Sequence, residues 1–400
     1  MKKLFSMGIV LSLLLALLTG CQSPGPEQDL GDKFIFEEDN QYSFYLSGLF
    51  GKPIAESETS YYASVDGCVY TRDKETGECA PLCNKPDCTH DEKEINSDGS
   101  SNCNAYFGAI QQISYYKGKL YVLSVNTVYE IDASGSTRKE LLQTKENIKS
   151  SMVHRGYLYL SFSDYLLAPE EYTEEKYTKE ELKDLSYQIK RYRLDQWDGN
   201  PEVIYEKKGE WGQINTMFAY GNKAYFSISR ASGDLIYDVV DHSLSNIPQT
   251  SGYPCIFNGK LLYFKMPDGI NDNTELDKIL EIQKKNMATL AERDGTFMKE
   301  TEISQEYGRI FGNDEFIAAD NQSTVSAKDD RRVRFYDKNM KLIREIKTEN
   351  GTMPSLGMNE DYFFYMKRLE ETDEVQIWAI DLHKLDDPDL KAEPFFAAEE

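Results

Sequence analysis

Residues 115 to 132 read Tyr-Tyr-Lys-Gly-Lys-Leu-Tyr-Val-Leu-Ser-Val-Asn-Thr-Val-Tyr-Glu-Ile-Asp. Aromatic and β-branched residues alternate around short turns, the first at Gly118 and the second within Ser124 to Asn126, and Asp132-Ala133-Ser134-Gly135 closes the phrase. The stretch is a strand, turn, strand, turn, strand, and the pattern recurs. Turns fall at Asp66-Gly67, Lys117-Gly118, Arg155-Gly156, Gly221-Asn222, Asn258-Gly259, Gly312-Asn313 and Asn359-Glu360. Strands such as Cys68-Val69-Tyr70, Tyr157-Leu158-Tyr159 and Tyr362-Phe363-Phe364 follow them. A third strand often ends on Asp, at Asp132, Asp195 and Asp381 and more loosely at Asp73 and Asp337, where the side chain can bond the backbone two residues on. Repeats of roughly 40 to 50 residues with about four strands each are the mark of β-propeller blades. One blade cannot cover both its faces, so the blades must stack around an axis. The expectation is an all-β propeller of seven blades, or six if the short first repeat, Ser60 to Cys83, does not count.

Composition agrees with a large folded body. The 400 residues include 27 Tyr and are 12% aromatic, which favours strands over disorder. Against 45 Lys and Arg stand 68 Asp and Glu, a net charge of -23. Such a surface repels phosphates, which argues against nucleic acid as a partner.

The first 21 residues stand apart from the fold. Lys2 and Lys3 precede an apolar run from Leu4 to Leu18, and Leu18-Thr19-Gly20-Cys21 follows. The segment resembles a bacterial lipoprotein signal with its lipobox. That resemblance implies cleavage before Cys21, lipid (diacylglyceryl and palmitate) on the mature N-terminus, and a domain anchored to the cell membrane on its extracytoplasmic face. Two acyl chains suffice to hold a soluble domain on a bilayer. Residues 22–33, with Pro24, Gly25, Pro26 and Gly31, read as a flexible tether, and 34–397 as one propeller domain. Within that domain Phe34 to Phe50 reads as a strand that pairs with Glu374 to Asp381 and joins the chain ends. Pro169 to Gln188 reads as an inserted amphipathic helix, and Pro267 to Asp277 as a polar insertion.

Five of the six cysteines beyond Cys21 fall between Cys68 and Cys103, four of them with His90 in a Cys/His-rich loop at 79–103. If the chain after Pro86 is extended, Cys88 and His90 project to one side, and Cys83, Cys88, His90 and Cys103 complete a three-sulfur, one-nitrogen set suited to structural zinc. Disulfides instead of a metal are the alternative in an oxidising compartment, with Cys68 and Cys79 placed to bridge a hairpin. Four protein ligands leave no open position for catalysis, so a metal here would clip a loop poor in apolar residues. Cys255, within a strand, reads as a buried small hydrophobe.

Leu-Cys-Asn-Lys-Pro-Asp-Cys-Thr-His (82–90), the later Cys-Asn-Ala-Tyr-Phe (103–107) and Tyr-Tyr-Lys-Gly-Lys-Leu-Tyr (115–121) together resemble a family of propeller-like surface lipoproteins of uncharacterised function from Gram-positive bacteria. The resemblance implies a surface propeller and no activity. Cys68 and Cys79 depart from its pattern. No Gly-x-Ser-x-Gly elbow, His-Glu-x-x-His helix or P-loop is present, and Trp197-Asp198 is a lone pair, not a blade-by-blade series. No catalytic residue is singled out. The expected role is a monomeric binding or scaffolding module for an extracellular protein or glycan. The alternative is an extracytoplasmic enzyme acting on glycan or peptide at the mouth of the channel.

Overall fold

Side chains alternate between the two faces of a strand, so a strand apolar on both faces must be covered on both. The computed structural model meets this demand with seven four-stranded antiparallel sheets, each a simple meander of consecutive strands. It describes residues 30–39, 53–96, 100–164, 183–209, 212–229, 233–248, 250–251, 254–268, 275–321, 331–348 and 352–396. Blades 1 to 7 span residues 54–81, 112–143, 148–208, 213–247, 255–304, 309–347 and 352–396. The chain is a seven-bladed β-propeller. The innermost strands include Ile54–Glu56, Gln112–Tyr116 and Ile148–His154, which lie beside one another in ring order.

Seven apolar clusters fill the seven junctions between blades. The alternation decides which side chain serves which junction. In blade 7, Phe364 and Met366 pack toward blade 1, while Phe363 and Tyr365 pack toward blade 6. In blade 1, Tyr61 and Ala63 face blade 7 and Tyr62 faces blade 2. Burying each such large side chain contributes about 1.5–3 kcal/mol, so every blade depends on both neighbours. The ring closes at the junction of blades 7 and 1, where Tyr61 meets Phe364 and Phe395 edge-on at ring distances of 6.4 and 5.1 Å and its hydroxyl donates to Asp361.

Closure therefore needs no strand from the N-terminal segment. Val375–Asp381 already pairs with Tyr362–Arg368 on one edge and Glu393–Phe396 on the other, so the expected partnership with 34–50 has no free edge to use. Residues 36–39 form turns and a bend, and 40–50 lie outside the described residues. The first repeat is short because its opening strand, Ile54–Glu56, precedes the tyrosine pattern. Asp66-Gly67 accordingly joins the second and third strands of blade 1, whereas the corresponding turns of the other six blades join first and second. The Asp side chains ending third strands act as expected: Asp73, Asp132, Asp337 and Asp381 each accept a backbone N–H two residues on. Asp195 instead pairs with Arg193.

A meander sends its first-to-second and third-to-fourth turns to one end and its second-to-third connection to the other. The first-to-second turns are two to four residues long and touch around the axis. Asn258 donates to the Asn313 carbonyl, Asn313 Nδ2 to the Asn359 carbonyl, and Asn359 Nδ2 to Glu56. This end is the turn face. The opposite end, the loop face, is where the long second-to-third connections at 164–185, 265–286, 321–331 and 369–374 leave and rejoin their blades. The connection at 265–286 holds helix α1 (Leu276–Lys285), where a polar insertion was expected. The helix expected over 169–188 lies largely outside the described residues, and Ser186–Arg193 is a strand.

Candidate functional site

The connection from blade 1 to blade 2 brings Cys83, Cys88, His90 and Cys103 together, with one ligand atom from each lying within 4.8 Å of the others. His90 Nδ1 lies 3.5 Å from Cys103 Sγ. Zn–S and Zn–N bonds of about 2.3 and 2.05 Å at a tetrahedral angle require an S···N edge of about 3.6 Å, which this pair matches. The cluster could hold a metal ion. Strand alternation does not bring His90 in, as the sequence suggested. Asp87 and His90 have φ of 61° and 58°, so a pair of left-handed turns wraps the chain around the site.

Backbone N–H groups support the sulfurs. Burial opposes ionisation of Cys83, yet N–H groups of Lys85 and Asn104 outweigh it and draw the thiol below its ordinary range. Burial raises Cys103 to about 12 despite an N–H from Ala105, so without a cation this sulfur keeps its proton. A bound metal would reverse that balance. The Arg138 guanidinium locks the loop by donating to the carbonyls of Cys103 at 3.1 Å and Tyr106 at 2.7 Å while stacking on Phe107. Gly67 permits the close approach beneath it, since a Cβ there would sit 2.4 Å from the Gly108 carbonyl oxygen.

The remaining cysteines do not join in. No disulfide joins any two of the six described cysteines. Cys79 opposes Arg72, four positions along the strand from Cys68, a separation of roughly 13 Å that no disulfide spans. The two also face different junctions, Cys68 toward blade 2 and Cys79 toward blade 7. Cys255 is fully buried between blades 5 and 6, as a small hydrophobe would be. Cys21 lies outside the described residues. His154 is packed and fully buried; burial takes its pKa down to about 3, so the neutral ring donates from Nε2 to the Gly221 carbonyl.

The turn face holds two features that sequence reasoning missed. Residues 30–39, read in part as tether and in part as strand, lie across it as a strap. Asp39, with no exposed side-chain surface, accepts from Arg155 Nε at 2.7 Å and from the Gly221 N–H at 2.8 Å. Glu38 pairs with Lys117 and accepts from Tyr116, and Asp32 pairs with Arg293. The strap walls one side of a cleft of about 540 Å³ lined by Tyr116, Tyr121, Tyr157, Arg155 and Arg193. Elsewhere on the turn face, in the first-to-second turn of blade 7, Glu360 is open to solvent but low among protein atoms; that partial desolvation, with Asp314, Asp361, Glu315 and Glu56 nearby, raises its pKa to about 7.

No family model and no curated protein matches the chain. Among solved structures, it is similar to an oligogalacturonate lyase from Vibrio parahaemolyticus, at 9% identity over 87% of this chain and 92% of that one, with a TM-score of 0.51. It is also similar to a chain of a mitotic checkpoint complex, at 9% identity over 90% and 97% of the two chains, with a TM-score of 0.50. At such identities the likeness is one of fold.

Proposed function

We propose that the chain is a lipid-anchored, extracytoplasmic propeller, of the surface lipoprotein kind its sequence resembles, that binds an extracellular protein or glycan through its loop face. The sidedness of the ring carries this reading. Long connections leave four blades at the loop face, while the first-to-second turns opposite are minimal. Insertions confined to one face of a repeat protein often serve binding. Val125 and Met266 add exposed apolar side chains at that face, Val125 at a φ of 53° that a β-branched residue rarely adopts. The Cys3His cluster would hold a structural zinc ion, since four protein ligands complete a tetrahedron. Among the described residues no helix is long and apolar enough to cross a membrane, and lipid on Cys21 would supply the anchor.

Two experiments test the reading. Labelled palmitate should enter the wild-type chain in bacterial cells and not a Cys21→Ala variant. Photoreactive residues placed at Val125, Met266 and Thr372 should cross-link a defined partner on intact cells, and a Val125→Asp, Met266→Asp variant should fold yet fail to compete. Undiminished competition by that variant would sink the loop-face reading. Glu360 supports a second reading, because a carboxyl half-protonated near pH 7 on the turn face could act as an acid on glycan or peptide. Hydrolysis of such a substrate by the wild type and its loss in Glu360→Gln would favour that reading.

A further inference from the structure

We propose that the strap at residues 30–39 fixes which face of the wheel looks toward the membrane: the turn face inward and the loop face outward. The inference rests on the proposed lipid anchor at Cys21 and adds a geometry to it.

Ten residues reach five blades. Phe36 lies 5.6 Å from the Lys74 ammonium of blade 1, and Glu38 holds Tyr116 and Lys117 of blade 2. In blade 3, Arg155 clasps Asp39 and donates to the carbonyls of Gly31 and Lys33 at 2.8 and 3.1 Å. Phe34 packs on Tyr220 and Asp39 accepts from Gly221, both in blade 4, and Asp32 pairs with Arg293 of blade 5. Every one of these partners lies in a turn, or beside one, at the turn face. Arg155 holds a φ of 45° in its turn while its side chain reaches the strap, so the anchor point is built into the ring.

The first described residue, Leu30, therefore sits at the turn face, beside Arg155 and Gly156. Only nine residue steps separate Leu30 from Cys21, a reach of at most about 32 Å. Were the strap undocked, the first described residue held by a blade would be Pro53, whose carbonyl accepts from the Ser64 N–H, 32 steps from Cys21, with a reach beyond about 100 Å and no preferred face. A docked strap thus keeps the turn face close to the bilayer and leaves the loop face free for a partner in the surroundings.

The test uses the mature chain with a polyhistidine tag in place of residues 1–21, held on phosphatidylcholine vesicles that contain nickel-chelating lipid. A short epitope is inserted either in the turn at 337–341, on the turn face, or between Glu371 and Thr372, in the loop-face connection 369–374. An antibody fragment should bind the loop-face epitope equally on vesicles and in solution, and the turn-face epitope at least five-fold less on vesicles. A twenty-residue Gly/Ser linker between Glu27 and Gln28, which leaves the strap untouched, should restore turn-face binding. The triple variant Asp39→Ala, Arg155→Ala, Arg293→Ala should restore it by release of the strap. Equal access to both epitopes on vesicles, or a turn-face loss that the linker does not relieve, overturns the inference. Because the attachment is artificial, this outcome is independent of whether cells lipidate Cys21, which the palmitate experiment decides separately.

Discussion

Replacing one ligand of the Cys3His cluster, by Cys88→Ser, or stripping the metal with a chelator, should cost stability in an amount the loop sets. The clip ties Cys83 to Cys103 across 20 residue positions, and closing a loop of that length removes about 3 kcal/mol of chain entropy from the unfolded state. The segment it secures carries Cys103 and Ala105, both without exposed surface, into the junction of blades 1 and 2. Loss of about 3 kcal/mol should lower the melting temperature by roughly 4 °C. The assay joins metal analysis of chelator-free protein with native alkylation read by mass spectrometry. Zinc should be found at one ion per chain. Cys83, Cys88 and Cys103 should resist alkylation until chelator is added, while half-exposed Cys79 reacts throughout and buried Cys255 does not react. Chelator-independent alkylation of the three ligands with no bound metal, or a disulfide among them, would refute the metal reading.

Four further outcomes follow from named contacts. Gly67→Ala should destabilise the chain and speed alkylation of Cys103 after chelation, because Cβ meets the Gly108 carbonyl at 2.4 Å and φ is +77°. Arg155→Ala should cost about 3 kcal/mol or more in chemical denaturation, since it leaves the Asp39 carboxylate buried without its cation. Glu360 binds its proton more tightly in the folded chain, with a pKa of about 7 against an unfolded value of 4.5, so stability falls as pH rises across that window. Glu360→Gln should therefore be the more stable protein at pH 8, by on the order of 1 kcal/mol once solvent at the turn face has screened the effect, and equal to wild type near pH 4. Val125→Asn should raise the melting temperature, because the exposed valine contributes little packing and its left-handed backbone costs about 1 kcal/mol that asparagine largely avoids. An unchanged or lower melting temperature for that variant would show that Val125 makes contacts the exposed turn does not suggest.

The blades were legible because their signal is local. Tyr-x-Tyr alternation, a two-residue turn and a closing Asp each act within a few residues, and both faces of every sheet are apolar, so stacking was implied. Ile54–Glu56 escaped notice because three residues carry no period, which is why the first repeat looked short. The convergence of Cys83, Cys88, His90 and Cys103 was readable from residue type, but the left-handed turn at His90 was not, since nothing in Thr-His-Asp announces a positive φ. The strap was misread for a physical reason. Phe34, Phe36, Tyr42, Phe44 and Leu46 keep the period of a strand, yet Val375–Asp381 has no free edge to receive one. Asp39 and Arg155 are 116 positions apart, and pairing across such a distance leaves no mark on either neighbourhood.

Amide hydrogen exchange at Arg155 and Gly221 tests the two-faced wheel most directly. Both residues lie in first-to-second turns, and their N–H groups bond to the Glu38 carbonyl and the Asp39 carboxylate of the strap. Slow exchange at both, comparable with the inner strand Ile148–His154 and lost on release of the strap, is the predicted result. Exchange at the rate of an open loop in the intact chain would mean that the segment is not docked, and the fixed sidedness would fall with it.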